Sequence, residues 1–277
     1  MNRSEKVRTA LIAALGDTLA LRELAGRTVI DALLEAVEAG RIEWTTEGRL
    51  ALPARKEQKG SSEINLCGVE NPRRHYLDCT FLNVFLFREL YRQSLIPFGC
   101  QNCYKVKIEA GCVAELAAIR EIAPAMPCPS KCLCALNYRY CVGVWSAFFY
   151  VDGLEMAFDV HRQLKAAIAD HPRLANAALN MTIKRGCSLF EARLGPSNRW
   201  VVDQSLEPLE QRLYSLFEPS QAGDGDKLKT FMGWIETAHS IGDDSYLELT
   251  GGKPIRAPTL DYLEVEPRPG RLSTNPK

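Results

Sequence analysis

Apolar residues recur at helical spacing through the first forty residues, and then the period changes. Val7, Leu11, Ile12 and Leu15 share one face of a first helix, and residues 19–24 suit a short second one. Val29, Ala32, Leu33, Ala36 and Val37 line one side of a third helix over 28–38. Gly40 ends it, and residues 42–52 read as a two-stranded ribbon turning near Glu47-Gly48. Three helices followed by a ribbon resemble a winged helix in shape, which assigns residues 1–53 to a small winged-helix-like unit.

The pattern lapses over 54–66, a polar stretch containing Gly and Ser that reads as a linker. A helix over about 78–93 is apolar on several sides and so is expected to be deeply buried. Alternation then predicts a strand over 105–110, and helical spacing a helix over 113–122. Residues 139–151, rich in aromatic and β-branched side chains, read as a strand. A strong helix follows over 154–169, with Leu154, Ala157, Phe158, His161, Leu164 and Ile168 on one face. Residues 178–193 hold a last strand, read as a hairpin turning at Arg185-Gly186.

The order β-α-β-α-β predicts an α+β fold, a ferredoxin-like βαβ-type central sandwich with its helices on one sheet face. Beyond Trp200 a helix is expected over 206–217, a loop over 220–227, and a helix over 227–239 with Leu228, Phe231, Met232 and Ile235 on one face. The expected organisation is therefore a unit at 1–53, a linker at 54–66, a Cys-rich α+β metal-binding domain at 67–200, a helical C-terminal extension at 201–264 and a disordered tail at 265–277.

Charge narrows the function classes. Lys plus Arg and Asp plus Glu are 34 each, so no general attraction to nucleic acid or anionic membrane follows. Residues 1–53 carry seven basic and eight acidic side chains, and the third helix bears Asp31, Glu35 and Glu38, which phosphates would repel. This argues against duplex DNA as a partner and for protein docking, or a redox partner, through residues 1–53. No stretch reaches the roughly 18–20 apolar residues that a bilayer span needs. No secretory signal is legible either, and a cytoplasmic, reducing location is expected.

That location makes ten cysteines informative, because disulfides rarely persist there and clustered thiols point to metal or redox chemistry. Nine lie between Cys67 and Cys141, and seven between Cys100 and Cys141. Cys100-Gln101-Asn102-Cys103 is a C-x-x-C preceded by Gly99, a spacing that lets both sulfurs reach one metal. A strand follows it, which counts against the helix-borne thiol of a thioredoxin-like site. Cys128, Cys132 and Cys134 form a second group in C-x3-C-x-C spacing, read as a loop because Pro124, Pro127 and Pro129 exclude a helix.

Cys187 follows a glycine, as Cys100 does. The expected ligands are Cys100, Cys103, Cys132 and Cys187, with Cys128 and Cys134 as substitutes, while Cys67, Cys79, Cys112 and Cys141 read as packing. Lys131, Lys184 and Arg185, together with Lys105, are placed to balance a thiolate-bound cofactor. Irregular ligand spacing favours a [4Fe–4S] iron–sulfur cluster over zinc, used for electron transfer or substrate binding. Zinc in an interaction module remains open. So does a thiol enzyme with a Cys100 or Cys103 nucleophile, for which His75 and Asp78, beside Arg73 and Arg74, would be the proton-handling groups.

Overall fold

The computed structural model describes residues 3–53, 63–65, 79–136, 143–218 and 227–255. It is an α+β protein whose described residues form two large hydrophobic cores and a small third cluster of Leu133, Ala135 and Phe148. The first begins with helices α1 (Arg3–Leu15) and α2 (Asp17–Ala20). The second helix is shorter than expected, because Glu23–Leu24 (β1) and Arg27–Thr28 (β2) pair as a small antiparallel ladder. Helix α3 (Val29–Glu38) starts at Thr28, whose hydroxyl accepts the Asp31 amide at 3.2 Å and donates to the Asp31 carboxylate at 2.6 Å. Strands β3 (Glu43–Trp44) and β4 (Leu50–Ala51) form the expected ribbon, with Gly48 supplying a φ of 75° at the turn.

The apolar stretch after residue 78 is a wide helix, Thr80–Leu90, of π type, closing with Tyr91 N–H on the Leu86 carbonyl at 2.7 Å. Phe81, Phe85, Leu86, Phe87 and Leu90 are buried in it, as the all-round apolar pattern required. They share one core with α1, α3, Phe190 and Leu206, Leu209, Leu213 and Phe217.

The second core lies under a five-stranded antiparallel sheet. Strand β5 (Glu63–Asn65) falls inside the stretch expected to be a linker, whose other residues, 54–62 and 66, lie outside the described residues. Strand β6 (Cys103–Ala110) precedes helix α4 (Val113–Ile122), which has the expected bounds. Strand β7 (Ser130–Cys134) corrects the loop reading of the second cysteine group. The prolines end at Pro129, and the five residues after them are free to pair.

Strand β8 (Trp145–Asp152), helix α5 (Leu154–Asp170) and strand β9 (Asn180–Arg185) complete the sheet in the order β5-β7-β8-β6-β9. The central run is thus β-α-β-β-α-β rather than β-α-β-α-β. The expected hairpin at Arg185-Gly186 is instead a turn into helix α6 (Ser188–Leu194).

Two helices bury faces other than those expected. In α5 the core side chains are Ala157, Val160 and Leu164, while Leu154 and Phe158 are exposed. Small residues on the inner face bring the helix close to the sheet. Helix α7 (Glu207–Leu216) joins the first core through Leu209 and Leu213. Helix α8 (Lys227–Ile241) buries Trp234 and Ala238 in the second, leaving Leu228 and Met232 exposed.

Helix α9 (Tyr246–Leu249) follows a turn whose Asp243 carboxylate caps α4, accepting Val113 N–H at 2.7 Å and Trp145 Nε1–H at 2.9 Å. The chain after residue 200 therefore divides its packing between the two cores. The tail 265–277 lies outside the described residues.

Candidate thiol and lysine site

The C-x-x-C segment is held from three sides. Residues Phe98–Cys100 form a single tight turn. The buried Glu210 carboxylate of α7 accepts Phe98 N–H at 2.7 Å, Gly99 N–H at 3.0 Å and Tyr91 Oη–H at 2.9 Å. Gly153 N–H donates to Asn102 O at 2.7 Å, and Gly186 N–H to Cys103 O at 2.7 Å. The Arg185 guanidinium donates to Gln101 O at 3.1 and 3.3 Å. Arg185 therefore serves the loop backbone, and it pairs across the ladder with Tyr104 rather than standing in the row of Lys184.

Cys187 reaches the same place through Gly186. That glycine has φ of 63°, and a Cβ there would stand 2.4 Å from the Trp200 ring, so both the turn and the close approach require glycine. Cys103 and Cys187 both pack against the first core, of which the buried Cys100 is part. Burial pushes the Cys100 thiol well up. The neighbouring Cys187, Cys103 and Cys79 thiols and the Glu210 carboxylate act in the same direction, since each presents a like charge. Four cysteines from three separate stretches thus lie within electrostatic reach of one another.

Cys79, read from the sequence as a packing residue, stands just before the wide helix Thr80–Leu90 and is exposed. Among the described residues, no three His, Cys, Asp or Glu side chains close on one point as a single metal ion requires. His75 and Asp78 lie outside the described residues.

Cys132 does not join this group. It is fully buried in the second core beside its ladder partner Ala147, with Cys128 and Cys134 in the same core. Burial pushes the Cys132 and Cys128 thiols up to about 12, and the Cys134 thiol in the same direction. A rise from the ordinary 9.0 to about 12 leaves roughly a thousandth of the thiolate. Cys128 and Cys132 should therefore be alkylated at pH 8 about a thousandfold more slowly than an exposed thiol such as Cys79 in metal-free protein. Mass-spectrometric time courses with iodoacetamide check this.

The sheet has a second face, and it explains the cations. Alternation along β6 puts Tyr104, Val106 and Ile108 toward the helices and Cys103, Lys105, Lys107 and Glu109 on the opposite side. Lys184 stands directly opposite Lys105 on β9. Lys131 stands opposite Phe148, and the Lys105 and Lys131 ammonium groups lie 5.3 and 5.8 Å from that ring's centre. Lys105 and Lys107 are only 6% and 8% exposed, so this row of lysines is not a solvated surface.

Lys107 pairs with Glu109, and Lys184 with Glu191. Among the described residues Lys105 has no ion pair, and its ammonium lies over the Phe148 ring. Burial lowers its pKa, while the nearby Cys187 and Cys103 thiols favour its charged form. Lys105 and the two thiols are thus one electrostatic unit.

No known protein family, curated protein sequence or solved structure matches this chain, so its function is read from the thiol and lysine site itself.

Proposed function

We propose that the chain is a cysteine-ligated iron–sulfur protein, with Cys79, Cys100, Cys103 and Cys187 holding a [4Fe–4S] cluster for electron transfer or for binding a substrate beside it. The observation that supports this reading is that Cys100, Cys103 and Cys187 border one core, with Cys79 within electrostatic reach of Cys100. A tetrahedral zinc ion with Zn–S bonds of about 2.3 Å draws its sulfurs to within about 3.8 Å of one another. The ligand sulfurs of a cluster stand farther apart, with the iron–sulfur core between them, and the irregular spacing of these cysteines along the chain suits that arrangement.

Four thiolates around a [4Fe–4S]²⁺ core leave a net charge near −2, and Lys105 is the cation placed to offset it. Lys184 stands opposite Lys105 on β9, and Lys131 lies across the Phe148 ring from it. Relative to the ligand set expected from sequence, Cys79 takes the place of Cys132, because Cys132 belongs to the other core.

The strand order and the helices on one sheet face support a ferredoxin-like topology for the central unit. The three helices and ribbon of residues 3–51 support a winged-helix-like unit suited to protein docking, with Asp31, Glu35 and Glu38 on α3 discouraging phosphate. Purification without oxygen tests the cluster. A brown protein with broad absorption near 400 nm and about four iron atoms per chain is expected. A colourless protein with one equivalent of zinc, or with no metal, overturns the reading.

A further inference from the structure

We propose that Trp200 is the positioning residue for the Cys187 thiol: its ring closes the stretch of chain that carries Cys187, holds that thiol at the edge of the first core and screens it from solvent and chelators. This rests on the cluster reading for what the thiol holds, whereas the screening belongs to the metal-free chain as well.

The stretch begins and ends at one place. Gly186 N–H docks on Cys103 O at 2.7 Å, and Cys187 stands at the start of α6. After that helix Gly195, with φ of 82°, turns the chain back. The turn Ser197–Arg199 then meets the end of β9, where Arg185 Nη1–H donates to Ser197 O at 3.4 Å. Trp200 follows it. Its indole N–H donates to Gly195 O at 2.9 Å, and its ring lies so close to Gly186 that a Cβ there would stand 2.4 and 2.8 Å from two ring carbons. On the inner side the buried Phe190 meets the Trp200 ring at 5.8 Å and Phe87 of the wide helix at 4.3 Å.

The ring is thus tied to both parts of the thiol site. Arg185 holds Gln101 O and Ser197 O together, which joins the C-x-x-C loop to the turn that presents Trp200. Cys103, Cys187 and Trp200 all pack against the first core from its edge. A large, rigid ring with its one polar atom satisfied is suited to exclude water there. It rests on backbone, which cannot swing aside as a side chain does, so losing the ring frees the residue directly before Cys187.

The test is iodoacetamide alkylation of the full metal-free chain at pH 8, followed thiol by thiol in mass spectrometry, with iron release to a chelator measured on loaded protein. In Trp200→Ala, Cys187 should react about tenfold faster than in the parent while Cys132 does not, because only the local stretch has opened. Gly186→Ala, whose methyl displaces the ring, should do the same. Joined to Trp200→Ala it should add nothing further, a non-additivity that a general loss of packing does not produce. Trp44→Ala, which removes an indole from the same core on β3, should lower the urea midpoint and leave the Cys187 rate alone. Iron should leave loaded Trp200→Ala about tenfold faster as well. A Cys187 rate that Trp200→Ala does not move, or that rises no more than the Cys132 rate, overturns the proposal. So does a double variant whose acceleration is the product of the two single ones. A parent that binds no iron but shows these alkylation rates overturns the cluster and supports the role of Trp200 toward the thiol.

Discussion

Cys100→Ser and Cys187→Ser should each remove most of the bound iron, a loss of more than about tenfold, together with the absorption near 400 nm. Cys103→Ser and Cys79→Ser should do the same. Cys132→Ser should keep its iron and lose stability instead. The contrast follows from where the side chains lie. Cys100, Cys103 and Cys187 border the first core, and Cys79 is within electrostatic reach of Cys100. Cys132 is fully buried between Ala147 and its neighbours in the second core. A serine hydroxyl there enters a dry site without a partner, at a cost of about 1–3 kcal/mol.

Iron per chain and the urea midpoint, measured on the same samples, separate the two effects. If Cys132→Ser empties the protein of iron and Cys79→Ser does not, the ligand set read from sequence is correct and the one argued from the structure is wrong.

The sequence carried the helices best where the apolar residues had only one way to point. Residues 113–122 and 29–38 fall in that class, and their bounds agree with the structure closely. It misled where size and burial part company. In α5 the large Leu154 and Phe158 face water, while Ala157 and Val160 meet the sheet, because a helix lying close over strands needs small side chains beneath it. Strand β7 was hidden by three prolines just before it and by a Ser-Lys-Cys composition that has no strand signature.

The alternation of Lys105 to Ala110 was legible, but alternation alone does not say what covers the lysine-bearing side. Only the structure puts Lys105 under cover and beside two thiols. Of the proposed site, the C-x-x-C pair and Cys187 were visible through spacing and their leading glycines. Cys79 was not, because twenty-one positions separate it from Cys100 and only folding brings them together.

Glu210 was equally invisible, as one acidic residue in an amphipathic helix, yet its removal should have the largest effect on the site of any residue that carries no thiol. Its carboxylate satisfies Phe98 N–H, Gly99 N–H and Tyr91 Oη–H, and the fully buried Tyr91 has no water to turn to once it is gone. Glu210→Ala should therefore cost about 3–5 kcal/mol in chemical denaturation, as truncating a buried, hydrogen-bonded charge does. It should also loosen the turn that presents Cys100, so iron should leave faster under a chelator. Glu210→Gln keeps one acceptor oxygen and the shape, and should cost about 1–2 kcal/mol while retaining most of the iron.

The two forms differ in pH response as well. Burial raises the Glu210 carboxyl above its ordinary 4.5. The native state then holds that proton more tightly than the unfolded chain does, so the group's contribution is fully present below about pH 4.5 and declines as pH rises through the raised native value. The stability gap between the parent protein and Glu210→Gln should thus widen in the parent's favour as pH falls toward 4.5, measured as the difference in urea midpoint at each pH so that the other carboxylates cancel. An Ala variant as stable as the parent, or a gap that does not move with pH, would mean that the Phe98–Cys100 turn is held by something other than this carboxylate.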